Sequence, residues 1–251
     1  MARASPDTAN ASDFQATMPE RYRSAFDSND AREHAAIVAR RAGAVAHVEI
    51  WKRFGQGVAA LCIVADDRPG LLSLISAALV ASEMDVVSAQ IYTRVVPQSG
   101  KAEAVDLIWV QRSSNVARPV LPPDATQIAN TLHELMSGRS TLESVVRRAR
   151  PSVRPAAGSS TRVTFDENPD EELAVLTVET SDRPGLLLAI SQALFRAQVQ
   201  IIASDAATLK GQVVDRFTIV ELDGRPIRAE RRGVVQMAVL SAIETLARSY
   251  M

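Results

Sequence analysis

Asp67-Arg68-Pro69-Gly70-Leu71-Leu72 recurs without change as Asp182-Arg183-Pro184-Gly185-Leu186-Leu187, 115 positions further along a chain of 251 residues. His47 to Thr93 aligns with Arg162 to Thr208 at that offset without a gap. The same offset carries Ile75 onto Ile190, Ser76 onto Ser191, Ala78 onto Ala193 and Leu79 onto Leu194. Repetition at a fixed spacing identifies two copies of one supersecondary unit. Further on, Val105-Asp106 meets Val214-Asp215 only when six residues are removed, at the turn Pro97-Gln98-Ser99-Gly100. Loops absorb such length changes.

Working outward, periodicity and punctuation give each copy the same series of elements. A short strand comes first, at Val45 to Trp51 and at Arg162 to Phe165. An apolar strand follows, at Val58 to Val64 and Leu173 to Glu179, and runs into the Asp-Arg-Pro-Gly turn. Leu71, Leu72, Ile75, Ala78 and Leu79 then recur at helical spacing, as do Leu186, Leu187, Ile190, Ala193 and Leu194, so one apolar stripe faces a core. Two strands follow in each copy, Val86 to Arg94 with Ala102 to Gln111, and Ile201 to Leu209 with Gln212 to Glu221. Lys210-Gly211 reads as a tight hairpin between the second pair. Closing helices are expected at Ala125 to Ala149, broken near Gly138, and at Ala229 to Tyr250.

The expected division is a flexible tail over 1–17, a helical connector over 18–43, the first unit over 44–150, a Pro/Gly/Ser linker over 151–160 and the second unit over 161–251. Within the connector, Asp27 to Asp30 reads as a break between two short helices. His34 reads as a solvated side chain on a polar helix.

Composition limits the function classes. A net charge of -1 supplies no field for nucleic acid or anionic membranes. No apolar run is long enough to span a bilayer and no secretory pattern opens the chain, which makes the cytoplasm the expected address. The single cysteine, Cys62, sits in an apolar run and reads as a small core residue. Histidines number three and none is followed by Asp, so no metal or other cofactor is expected.

The turn carries the chemistry. A helix that starts abruptly leaves its first backbone N–H groups unpaired, and an anion fits there. Gly70 and Gly185 allow close approach to the backbone, and Pro69 and Pro184 stiffen the turn. A free amino acid would place its carboxylate on those amides and its ammonium on Asp67 or Asp182. The alternative is that each Asp only caps its helix or orders its own turn. Candidate ligand residues are therefore Asp67, Pro69, Gly70, Leu71 and Leu72 with Asp182, Pro184, Gly185, Leu186 and Leu187. Gln90, Ser204 and Asp205 are added from the following strands.

These motifs, with Val86-Val87-Ser88-Ala89-Gln90-Ile91-Tyr92-Thr93, resemble the ACT domain, an α+β ferredoxin-like fold with helices on one face of an antiparallel sheet. The paired copies, Met18-Pro19-Glu20-Arg21-Tyr22 with His34, and Leu222-Asp223-Gly224-Arg225-Pro226-Ile227 are similar to the tandem ACT region and preceding connector of the bifunctional PII uridylyltransferase/uridylyl-removing family. The resemblance implies glutamine sensing, in nitrogen metabolism, and no catalysis by this chain. The family's Gly-Ser nucleotidyltransferase motif and His-Asp hydrolase cluster have no counterpart here. The chain also departs from the usual ACT order by closing on a helix. A permuted unit is expected, in which the leading strand takes the edge usually filled by the last one.

A ligand-driven regulatory module is the leading expectation. The alternatives are a regulatory subunit or remnant working with a separate nucleotidyltransferase, a tandem-ACT regulator similar to the glycine-cleavage repressor that acts through a protein partner, and a ligand-free scaffold. A homodimer through ACT sheets is a further expectation.

Overall fold

Leu71 N–H donates to the Arg68 carbonyl at 3.1 Å and Leu186 N–H to the Arg183 carbonyl at 3.2 Å. The residue between takes left-handed angles, φ 79° and ψ 3° at Gly70 and φ 78° and ψ 8° at Gly185. Proline second and a left-handed glycine third make a type II turn. The turn swings each apolar strand directly into its helix.

The structure is a computed structural model that describes residues 6–97, 99–148, 160–166, 173–209 and 212–248. In chain order it contains α1 (Pro6–Thr17), α2 (Glu20–Ala25), α3 (Ser28–Arg40), β1 (Ala46–Arg53), β2 (Ala59–Asp66), α4 (Leu71–Ala81), β3 (Met84–Ile91), β4 (Thr93–Val95), β5 (Ala102–Arg112), α5 (Pro122–Met136) and α6 (Leu142–Arg148). The second copy contributes β6 (Arg162–Phe165), β7 (Ala174–Ser181), α7 (Leu186–Arg196), β8 (Val199–Leu209), β9 (Gln212–Glu221) and α8 (Ala229–Arg248). The closing helix of the first unit is broken as expected, with Gly138 at φ 72° between α5 and α6. The 151–160 linker, Ser160 apart, and the Lys210-Gly211 turn lie outside the described residues.

One sheet runs through both units in the order β1-β2-β5-β3-β8-β9-β7-β6, with β4 paired to β5. Each unit thus shows the same four-strand order read outward from the middle, β3-β5-β2-β1 and β8-β9-β7-β6. The leading strands β1 and β6 pair antiparallel with β2 and β7 at the outer edges, which is the permuted ferredoxin-like arrangement. The units join where β3 meets β8, from Ser88 opposite Ala207 to Ile91 opposite Ser204. Helices α4, α5, α7 and α8 cover one face, and a single apolar core containing Leu61, Ile75, Leu79, Ile108, Ile128, Leu176, Ile190, Leu194, Phe217 and Val239 runs beneath them.

The opposite face differs between the copies. In β2 every residue but the last is buried, whereas burial in the first five residues of β7 alternates. Continuous burial needs cover on both faces. Helices α1 to α3 supply it, packing Phe14, Met18, Tyr22, Phe26, Ala31, Ala35 and Ile37 on Cys62, Val64, Val105 and Leu107. The corresponding positions of the second copy are Thr177, Glu179, Val214 and Arg216, which need no such cover.

Two expectations are corrected here. Instead of a flexible tail, Pro6–Thr17 is helical and ends with Phe14 buried against Tyr22. His34 is 0% exposed rather than solvated. Ala31, His34 and Ala35 form the inner stripe of α3, and the ring is held by Tyr22 Oη at 2.6 Å from Nδ1 and by Trp51, 4.2 Å away between ring centres. With Ile37 the buried residues of the helix number four, and two of them are alanines, which hides the stripe in the sequence.

Candidate functional site

Each turn faces the other copy. The Asp67-Arg68-Pro69-Gly70 turn and the start of α4 border a cleft whose far wall is Ser191 and Phe195 of α7 with Val199, Gln200 and Ile201 of β8. The Asp182-Arg183-Pro184-Gly185 turn and the start of α7 border a second, walled by Ser76, Leu79 and Val80 of α4 with Met84, Asp85 and Val86 of β3. The walls correspond position by position at the 115-residue offset. Neither cleft exists within a single unit, because each needs a turn from one copy and a helix from the other.

The expected residues separate into groups. Asp67, Gly70, Leu71 and Leu72 line the first cleft, and Asp182, Gly185, Leu186 and Leu187 line the second. Pro69 and Pro184 shape the turns without lining either cleft. Gln90 and Asp205 sit opposite one another where β3 meets β8, on the sheet face away from the turns. Strand alternation puts them there: the next pair, Ile91 and Ser204, points to the helix side, where Ile91 joins the core. Ser204 is buried on that side but lines neither cleft.

The turn amides differ from the simple expectation. Those of Leu71 and Leu186 close their own turns, and Ser73 N–H donates to the Gly70 carbonyl at 3.0 Å. Asp67 is partly engaged as well, since its Oδ2 accepts the Thr93 hydroxyl at 2.7 Å and ties the turn to β4. Arg68 lines its cleft and donates to the Met136 carbonyl at the end of α5, 2.9 Å away. Arg183 stays inside the protein, 6% exposed, donating to the Ser181 carbonyl and Thr180 Oγ1 at 3.3 Å each.

Two pairs of residues in the clefts escaped the list of candidates. Asp106 lines the Gly70 cleft and Asp215 the Gly185 cleft, and both are buried. Asp106 Oδ1 accepts from Tyr92 N–H at 3.3 Å. Burial pushes its carboxyl well above the ordinary carboxylate range, and the Tyr92 bond opposes this only in part. The other pair is Ser76 and Ser191, each entering the cleft of the opposite copy. The sequence holds a signal for both pairs, since each is identical between the copies, within Val105-Asp106 and Val214-Asp215 and within Ile75-Ser76 and Ile190-Ser191.

Each cleft has a volume of about 30 Å³, room for about two waters. No group of three or more His, Cys, Asp and Glu residues fit to hold a metal occurs among the described residues. Nor is any described helix long and apolar enough to cross a membrane.

Fold and clefts together define a tandem α+β protein, with two permuted ferredoxin-like units joined through one sheet. Its relatives are bifunctional uridylyltransferase/uridylyl-removing enzymes. The one from Rhodospirillum rubrum is 29% identical over 207 residues, 80% of this chain and 22% of that protein. Those from Phenylobacterium zucineum and Bradyrhizobium diazoefficiens are 29% identical over 231 residues and 30% over 190, covering 90% and 75% of this chain and 24% and 19% of theirs. The chain therefore matches only about a fifth to a quarter of the length of enzymes it resembles. No family model matches it. Among solved structures, aspartate kinase from Synechocystis superposes with a TM-score of 0.39 at 14% identity, over 75% of this chain and 27% of that one.

Proposed function

We propose that this chain is an amino-acid sensor that binds a small amino acid between its two units and works by shifting their arrangement, not by catalysis. L-glutamine is the first candidate, on the strength of the resemblance to the uridylyltransferase family. The observation that carries the reading is the cross-copy construction of the clefts. A solute held there touches both units at once, so its binding energy depends on how they are set.

The small cleft volume fits this reading. An amino acid does not enter about 30 Å³ without the walls parting, and a ligand shifts an equilibrium by as much as its affinity differs between two arrangements. Backbone donors, buried carboxyls and an interior guanidinium supply partners for a zwitterion. The response is passed to a protein partner in the cytoplasm, a nucleotidyltransferase being the class the relatives favour.

A thermal-shift screen of the twenty amino acids tests the proposal. An amino acid at about 100 times its dissociation constant adds about 2.7 kcal/mol to folding stability. A screen in which none of the twenty raises the melting temperature overturns the sensor reading.

A further inference from the structure

We infer that the two clefts are not equivalent: the Gly185 cleft takes the amino acid, and Phe195 shuts the Gly70 cleft. This rests on the sensor reading above. The 115-residue offset places Val80 of α4 and Phe195 of α7 at the same position, in the last turn of each helix, facing the glycine of the opposite copy. The glycines themselves match, with φ of 79° and 78°. What stands over them does not.

A Cβ built on Gly70 would lie 3.0, 3.1 and 3.2 Å from three ring carbons of Phe195, so the ring rests directly on the glycine. At Gly185 the nearest atom is a methyl of Val80 at 3.9 Å, an ordinary contact. A carboxylate coming to the Gly70 backbone must first displace an aromatic ring, which is 40% exposed and otherwise packed. At Gly185 it meets only the tip of a valine.

Arg183 and Arg68 each line their own cleft and each donate to the protein, Arg183 to Ser181 and Thr180 and Arg68 to the Met136 carbonyl, so the guanidinium groups do not separate the clefts; the wall hydroxyls do. Ser76, 2% exposed, lines the Gly185 cleft, and its hydroxyl has no hydrogen-bond partner among the described residues. Its counterpart Ser191 donates to the Leu188 carbonyl at 3.2 Å. The Gly70 cleft keeps an unpartnered hydroxyl of its own, Ser73, but on the helix that carries the turn, not on the opposing wall. Since the clefts are equal in volume, the difference lies in access to the backbone and in the Ser76 hydroxyl on the opposing wall.

Isothermal titration decides the matter, with L-glutamine first and then each of the other nineteen amino acids, on the full chain. The expected stoichiometry is one per chain for the native protein, two for Phe195→Val and none for Val80→Phe. Amide spectra of the native protein should show the Gly185 signal moving and the Gly70 signal unmoved, which keeps the test alive if a variant fails to fold. Two sites in the native chain, or one that moves the Gly70 signal, overturn the inference and leave the sensor reading standing. Binding that survives Val80→Phe in a folded protein, or a folded Phe195→Val that still binds one, overturns the inference too. No binding of any of the twenty to either the native chain or Phe195→Val overturns the sensor reading, and this inference with it.

Discussion

Single residues in this protein carry costs that can be measured separately. Gly185→Ala forces a side chain into left-handed backbone with open space around it, at about 1 to 2 kcal/mol. Gly70→Ala meets the Phe195 ring as well, so urea denaturation should show the larger loss there; equal losses would mean that the ring does not rest on Gly70. His34 titrates in the opposite sense to a surface histidine. Burial lowers its pKa from 6.5 to about 4, so the unfolded chain takes up the proton first as pH falls. Stability is fully present above pH 6.5 and declines by about 3 kcal/mol on the way to pH 4. His34→Leu should flatten that part of a stability-versus-pH curve. Asp106 is raised instead of lowered, and its contribution is intact below the carboxylate's unfolded pKa and is lost as pH rises. Asp106→Asn, which cannot ionise, should therefore gain on the native protein with increasing pH, by at most about 1.4 kcal/mol per unit, and match it near pH 3. A gap in melting temperature that stays constant from pH 4 to pH 8 would contradict the assignment.

Among the elements, those set by local chemistry were legible and those set by distant partners were not. Leu71 through Leu79 spell a helix face without help from the rest of the chain, and Pro69-Gly70 spells the turn before it. The repeat alone gives the common series of elements in the units, and the resemblance to the ACT order adds the leading strand at the sheet edge. Helix α1 was missed because its sequence is polar apart from a few residues such as Phe14, and its place depends on an apolar sheet face about 50 residues away. Gln90 and Asp205 are expected at the site because they lie on the strands that follow the helices, whereas strand alternation sends them to the other face. In the sequence Asp106 and Asp215 serve only to align the copies, because each stands among other polar residues of its strand and nothing local shows that a cleft lies beside it. The two sheet faces give a test at this scale. Tyr22→Ala removes a fully buried aromatic from the helical cover and should cost about 3 to 5 kcal/mol. Thr218→Ala, on the uncovered face of the second unit, should stay within about 0.5 kcal/mol in the same denaturation series.

At the scale of the whole molecule, the strand that ties the copies together also sets how freely they move. The β3 and β8 ladder aligns only Ser88 to Ile91 with Ala207 to Ser204, and both clefts open onto its flanks. If amino-acid binding parts the walls, hydrogen exchange at Ser88 to Ile91 should change with saturating L-glutamine while the outer β1 and β2 ladder keeps its protection. Uniform behaviour across the sheet would separate binding from any shift between the units.

The junction has one more consequence, for how copies of this protein meet one another. A lone unit of this kind would expose β3 or β8 as a raw border, ready to recruit another polypeptide. Here the chain pairs part of that border internally, and among the described residues the outer margins are a four-residue β6 and a β1 whose register slips between Ile50 and Lys52. Short or irregular margins are poor templates for added strands. Light scattering should accordingly find no open-ended growth as concentration rises; growth without limit would mean that these margins recruit further copies.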